Sequence, residues 1–118
     1  MSADFASKPT KVVAAASTNA TLVQAGQVKL WGYNLKNTAA YPVYIKFFDE
    51  ATAPSPGTDV PYFTVAILAG ERADLDRWVG VQFQLGLGYT ITKLIADNDT
   101  TVVVANDLVG QLFWNILQ

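Results

Sequence analysis

Three pairs of closely spaced carboxylates have the residue type and spacing for acid–base chemistry. Two carboxyl groups at a suitable separation are sufficient to hydrolyse a glycosidic bond. Neighbouring strand residues point to opposite faces, and Asp74 and Asp76 alternate with apolar residues, which is typical of a strand with one face in water. We therefore predict turn and surface roles for these acids and no catalytic residues. The pairs are Asp49 with Glu50, Asp74 with Asp76, and Asp97 with Asp99.

Other catalytic groups are scarce in this chain of 118 residues, which contains neither His nor Cys. These two residues supply the commonest general base, the commonest zinc ligands and the thiolate nucleophile. The four serines lie in predicted arm, turn or loop segments with no base nearby in sequence: Ser2, Ser7, Ser17 and Ser55. The sequence therefore predicts a non-enzymatic protein without a cofactor; an enzyme acting through paired carboxylates is the remaining alternative.

The stretch DNDTT, Asp97 to Thr101, places carboxylates at alternate positions, as calcium-binding loops do. It does not match an EF-hand, because Val102 stands where that loop needs Gly and Leu108 where it needs Glu. The alternative is a turn whose side chains bond their own backbone, and we expect no bound metal. The candidate ligands for another type of calcium site are Asp97, Asp99 and Asp107.

Aromatic residues suggest a different class of function, a carbohydrate- or receptor-binding module. Such a module would need Trp31, Trp78 or Tyr62 on its surface. Most tryptophans of a small sandwich instead pack in the core, because each buries a large apolar area.

The elements that hold these residues are predicted to be strands. In YPVYIKFFDE, Val43, Ile45 and Phe47 alternate with Tyr44, Lys46 and Phe48, and QVKLWGYNLKN places Trp31, Tyr33 and Leu35 opposite Val28 and Leu30. Turn signals separate several such runs, TTVVVAND reads as strand or loop, and no segment has helical periodicity. We predict an all-β, antiparallel, jelly-roll-like sandwich of about eight short strands. A flexible arm at residues 1–10 precedes a single domain at residues 11–118.

Composition bears on the partners. Hydrophobic residues make up 51% of the chain and charged residues 15%, against about 25% charged in typical soluble domains. Apolar outer faces should therefore be covered by neighbouring subunits. The scattered basic residues, the net charge of −2 and the lack of a long apolar run predict neither nucleic-acid nor membrane partners. The subunit-interface candidates are Val28, Leu30, Tyr44 and Phe48.

Two long segments resemble a group of small bacteriophage and prophage proteins. They are IKFFDEATAPSPGTDVPYFTVAILAGE, with its A-x-A-P-x-x-G-T-D-x-P loop, and VGVQFQLGLGYTITKLIADNDTTVVVANDLVGQLFW. The resemblance covers roughly residues 20–115. The chain differs from the group at Lys93, Leu94 and Ile95, where small residues or Gly are usual.

The resemblance implies a virion structural component with a β-sandwich fold. Together with the low charge and the apolar excess, it leads us to expect a capsid decoration or cement subunit that stabilises or coats the phage head. Its partners would be the major capsid protein or other virion proteins, and it would form a homo-oligomer, such as a trimer, in a virion assembled in the host cytoplasm. A tail, collar or fibre-attachment component fits the same features, and a carbohydrate- or receptor-binding module of the virion is the alternative.

Overall fold

The computed structural model describes residues 7–116, except for the side chains of residues 77–79, and within this range the chain is all-β. Turns and irregular loops connect the strands. The strands are β1 (Lys8–Val13), β2 (Thr21–Ala25), β3 (Val28–Asn37), β4 (Val43–Asp49), β5 (Phe63–Ile67), β6 (Arg72–Phe83), β7 (Gly86–Thr92) and β8 (Leu108–Ile116).

The eight strands form two four-stranded antiparallel sheets. Sheet A has the order β1-β8-β3-β6, and sheet B has the order β2-β7-β4-β5. Strand β1 pairs with β8, β2 with β7, β3 with β6, and β4 with β5. This nesting is that of one long hairpin, turning between β4 and β5, rolled into two packed sheets, which is a jelly roll. The predicted antiparallel sandwich is confirmed.

The core lies between the two sheets and is formed by alternate residues of their strands. Leu35 and Leu112 of sheet A face Ile45, Phe47 and Ile91 of sheet B, and all five belong to one buried cluster. Such alternation is what the pleat of a strand requires when one face is buried. Among the described residues, no helix is long and apolar enough to cross a membrane.

Strand β1 corrects the predicted N-terminal arm. It begins at Lys8, so residues 8–10 pair with β8 and belong to the sandwich. The Trp114 indole N–H donates to the Thr10 hydroxyl oxygen at 2.8 Å, which fixes the strand to its neighbour. Pro9 suits this position because β1 is an edge strand, where a missing N–H costs little. Residues 1–6 of the predicted arm lie outside the described residues.

A bulge at Trp31 corrects the predicted faces of β3. Leu30 is opposite Trp114 while Gly32 is opposite Phe113, so β3 has one extra residue at this point. One extra residue reverses which side chains point inward. Val28 and Leu30, before the bulge, therefore face the core together with Leu35 beyond it. Their prediction as subunit-interface residues is wrong, because they are fully buried within the chain.

The outer face of sheet B is covered by the chain's own loops. We call residues 50–62 and 93–107 the loop layer; its last residues turn to the adjoining end of the sandwich, where Val103 joins the core and the Thr38 N–H donates to the Asp107 carbonyl. Its two parts touch, since a Cβ built on Gly57 would lie 3.0 Å from Thr100 Cγ2. Lys46, Phe48 and Thr90 belong to the outer side of sheet B, yet each is at most 1% exposed.

Phe48 was predicted to face another subunit, and that prediction is also wrong, since the loop layer already covers it. Tyr44, on the same side of β4, is only partly buried. The stretch TTVVVAND, predicted as strand or loop, contains no strand: residues 100–104 are irregular, residues 105–107 form a turn, and β8 begins at Leu108.

Candidate functional site

The acidic pairs of the sequence are separated by the fold into structural roles. The Asp49 carboxylate accepts hydrogen bonds from the backbone N–H groups of Gln84, Leu85 and Gly86, at 3.1, 2.7 and 3.3 Å. It thereby fixes the turn between β6 and β7. Its neighbour Glu50 points elsewhere, as expected for adjacent residues of an extended chain.

Glu50 is paired with another carboxyl group at the far end of its loop. Desolvation, together with a hydrogen bond to Asp59, raises the pKa of Glu50 to about 7. The hydrogen bond from the Ser55 backbone N–H, at 2.8 Å, and the bond with Glu50 lower the pKa of Asp59. Below about pH 7, a protonated Glu50 therefore donates to the ionised Asp59, and this bond spans the loop that follows β4.

The predicted calcium ligands are not brought together. Asp99 accepts hydrogen bonds from the backbone N–H groups of Leu94 and Thr101 and from the Thr101 hydroxyl. Burial opposes its charge, but these bonds keep the pKa of Asp99 below its usual value. Asp97 is exposed, whereas Asp107 is buried and bonds the Tyr41 hydroxyl and the Val104 N–H. Within residues 7–116, no group of three acids is placed to hold a metal ion.

Lys46, on the outer side of β4, binds the loop layer to sheet B. Its ammonium donates to the carbonyl oxygen of Ala96 at 2.6 Å and approaches that of Asp99 at 3.5 Å. Burial lowers the pKa of the ammonium, and the nearby charges of Asp99 and Asp97 partly oppose this effect. A buried cation thus reinforces the loop at the Ala96 carbonyl, which also accepts the backbone N–H of Asp99 at 2.9 Å.

The loop layer presents a set of exposed apolar side chains, which we call the apolar loop patch. The backbone N–H of Lys93 donates to the Thr101 carbonyl at 3.1 Å, so the two arms of this loop run side by side. Val103 is buried in the core between two exposed valines. Each side chain of the patch is about half exposed or more. The members of the patch are Leu94, Ile95, Val102 and Val104.

A groove of about 400 Å³ crosses the outer face of sheet A beside the bulge at Trp31. The outward carboxylates of Asp74 and Asp76 border it on the β6 side, and Phe113 borders it on the β8 side. Sequence reasoning singled out Trp31 and the two acids, but it did not place them together. Only the strand register does so, and no local pattern in the sequence encodes that register.

Tyr62, the other aromatic candidate whose side chain the structure describes, has a structural role. Tyr62 is exposed, but its ring packs edge-on against Phe83 with centroids 5.2 Å apart. It belongs to the rim of an apolar cleft of about 380 Å³ between β5 and β6. Trp114 is buried and donates to Thr10. The side chain of Trp78 lies outside the described residues.

Comparison of the chain with protein-family models, with curated proteins and with solved structures finds no match in any of the three.

Proposed function

We propose that this protein is a non-enzymatic structural subunit of a bacteriophage particle that coats or stabilises the capsid. The observation that carries the proposal is the apolar loop patch. Its members lie on two arms of one loop, which the bond from the Lys93 N–H to the Thr101 carbonyl holds side by side. Contiguous exposed apolar surface marks contact surfaces in soluble proteins. Here Lys46 and Asp99 hold the patch in a fixed conformation, so its exposure is built into the fold.

The size of the loop layer agrees with such a contact. A stable interface takes roughly 20 to 30 residues from each partner, which is close to the number of residues in the loop layer. Within the layer, Val60 and Tyr62 are exposed in addition to the patch. The patch would form the apolar centre of the contact, and the polar Thr, Asn and Asp side chains around it would form the rim.

The fold supports the same proposal by analogy, since jelly rolls are common in viral capsid proteins. Because one fold serves many functions, the sequence resemblance to small phage proteins is the second support for this role. Under this proposal the chain assembles with copies of itself and with the major capsid protein in the virion.

The test is a pair of matched variants in a binding experiment. Purified protein is sedimented with capsid shells of the phage whose genome carries the coding sequence. We expect Leu94→Asp combined with Ile95→Asp to abolish cosedimentation while the melting temperature changes little. The control is Leu85→Asp, which alters an equally exposed apolar residue in the β6–β7 turn, outside the loop layer, and should bind like the unmodified protein. If the unmodified protein fails to bind shells, or the double variant binds them equally well, the proposal is wrong.

A further inference from the structure

We propose that the groove on the outer face of sheet A is a binding site for a single neutral pyranose ring of a glycan. This site is separate from the loop layer, which covers the outer face of the other sheet. The inference therefore does not rest on the proposed capsid contact, and each can fail without the other.

The groove is formed by two rows of side chains that the strand register aligns. In the first row, Gly32 of β3 lies between Asp76 of β6 and Phe113 of β8. In the second row, Asn34 lies between Asp74 and Gln111. Directly paired residues of neighbouring strands share one face of the sheet. The rows thus bring carboxylates, an amide and an aromatic ring to one surface.

Gly32 leaves the central position of the first row without a side chain. No larger residue fits there, since a Cβ at Gly32 would clash with the carbonyl oxygen of Leu75. The bulge next to it carries Trp31 to the outer side, where the indole forms a wall of the groove. Volumes of about 300 Å³ and above are usual for small-ligand sites, and this groove has about 400 Å³.

The chemistry of the walls is that of saccharide recognition. A pyranose ring has an apolar C–H face and a rim of hydroxyl groups. Phe113 on the β8 side and Trp31 at the bulge offer apolar ring surface, while the Asp74 and Asp76 carboxylates on the β6 side accept hydrogen bonds from hydroxyl groups. Asn34 already accepts a bond from the Gln111 side-chain amide, which orients its own amide group.

The charges of the groove favour neutral sugars. Asp74 and Asp76 carry two negative charges, and Arg72, 3.7 Å from Asp74, carries one positive charge. Lys29, whose ammonium lies 5.2 Å from the centre of the Trp31 ring, carries a second positive charge. The charges of the described side chains therefore balance, and the groove has no net attraction for the carboxylates of uronic and sialic acids, which would lie close to Asp76.

One polar atom of the wall lacks a partner in the free protein. The indole N–H of Trp31 is buried, and it finds no hydrogen-bond acceptor in the part of the chain that the structure describes. Buried donors are rarely left in this state. A sugar that packs against the indole changes the environment of this N–H, so its NMR signal should report binding.

The test is a titration of the ¹⁵N-labelled full-length protein, followed by NMR, with the methyl glycosides of glucose, galactose, mannose and N-acetylglucosamine. We expect at least one of them to shift the indole N–H signal of Trp31 saturably below about 50 mM, a millimolar affinity typical of single sugars on shallow sites. The side-chain amide signals of Asn34 and Gln111 should move with it. Glucuronic acid should cause no saturable shift.

Variants distinguish the groove from nonspecific effects. Asp76→Asn and Phe113→Ala should each raise the Kd about tenfold or more, since each removes a principal contact. Asp97→Asn, an exposed acid on the loop layer, should bind like the unmodified protein. A melting curve for each variant shows whether it is folded, and Asp76→Asn alters only an exposed side chain. The proposal is overturned if no glycoside gives saturable shifts, or if the shifts persist unchanged in Asp76→Asn.

Discussion

Replacement of Phe48 by Ala tests whether its side chain is covered by loops of the same chain or by contact with another subunit. The ring is 1% exposed although it lies on the outer side of sheet B. An aromatic side chain removes roughly 150–250 Å² from water, worth about 4–6 kcal/mol at about 25 cal/mol per Å². This is an upper value, because the unfolded chain already buries part of that area. Core Phe→Ala substitutions cost about 3–5 kcal/mol, and we expect a loss in that range.

The assay is urea denaturation at two protein concentrations, with Tyr44→Ala as the matched control. Tyr44 lies on the same side of the same strand but is only partly buried, so we expect about 1–2 kcal/mol for its truncation. For a domain of this size, the loss at Phe48 corresponds to a fall in Tm of about 12–20 °C. The effect should not depend on protein concentration, because the cover belongs to the same chain. A loss at Phe48 no larger than that at Tyr44, or one that appears only at high concentration, would refute the loop layer as its cover.

Three further predictions concern the loops and the edge of sheet A. Because burial and Asp59 raise the pKa of Glu50 from 4.5 to about 7, the folded state favours the protonated acid; stability should fall as pH rises from about 4.5 to 7 and level off above. Glu50→Gln should remove that slope in denaturation midpoints measured against pH. Asp99→Ala should lower the free energy of unfolding by about 1–2 kcal/mol, because the bonds of Asp99 to backbone N–H groups are lost, whereas Asp97→Ala, at an exposed residue, should lower it by less than about 0.5 kcal/mol. Addition of millimolar calcium should leave the melting temperatures of both variants unchanged. Thr10→Val should cost about 1 kcal/mol in denaturation, because it leaves the Trp114 N–H without its acceptor; equal stability would show that β1 is not fixed by this bond.

The fold class was predictable because alternation in segments such as β4 is a local property of the sequence. Val43, Ile45 and Phe47 are all core residues, as their spacing indicates. The same rule failed in β3, because the bulge at Trp31 is set by pairing with β8 and leaves no local signal. Alternation therefore predicted that Val28 faces outward when it faces the core.

The outer face of sheet B could not be predicted for a different reason. Alternation shows that Lys46 and Phe48 point away from the core, but it does not show what covers them. Their cover comes from the two parts of the loop layer, which meet only in the folded chain. The candidate sites depend on the same long-range contacts. Asp76 and Phe113 are 37 positions apart in the sequence, and both lie next to Gly32 only because β3 separates their strands in the sheet.

The most direct test of the proposed role is the protein composition of purified phage particles. Particles produced from the genome that carries the coding sequence are separated into heads and tails, and each fraction is analysed by quantitative mass spectrometry. We expect this chain to be present in the head fraction in many copies per particle and to be lost from it when Leu94 and Ile95 are both replaced by Asp. Intact heads that lack the chain, with the protein found only in the unassembled cell extract, would contradict this expectation.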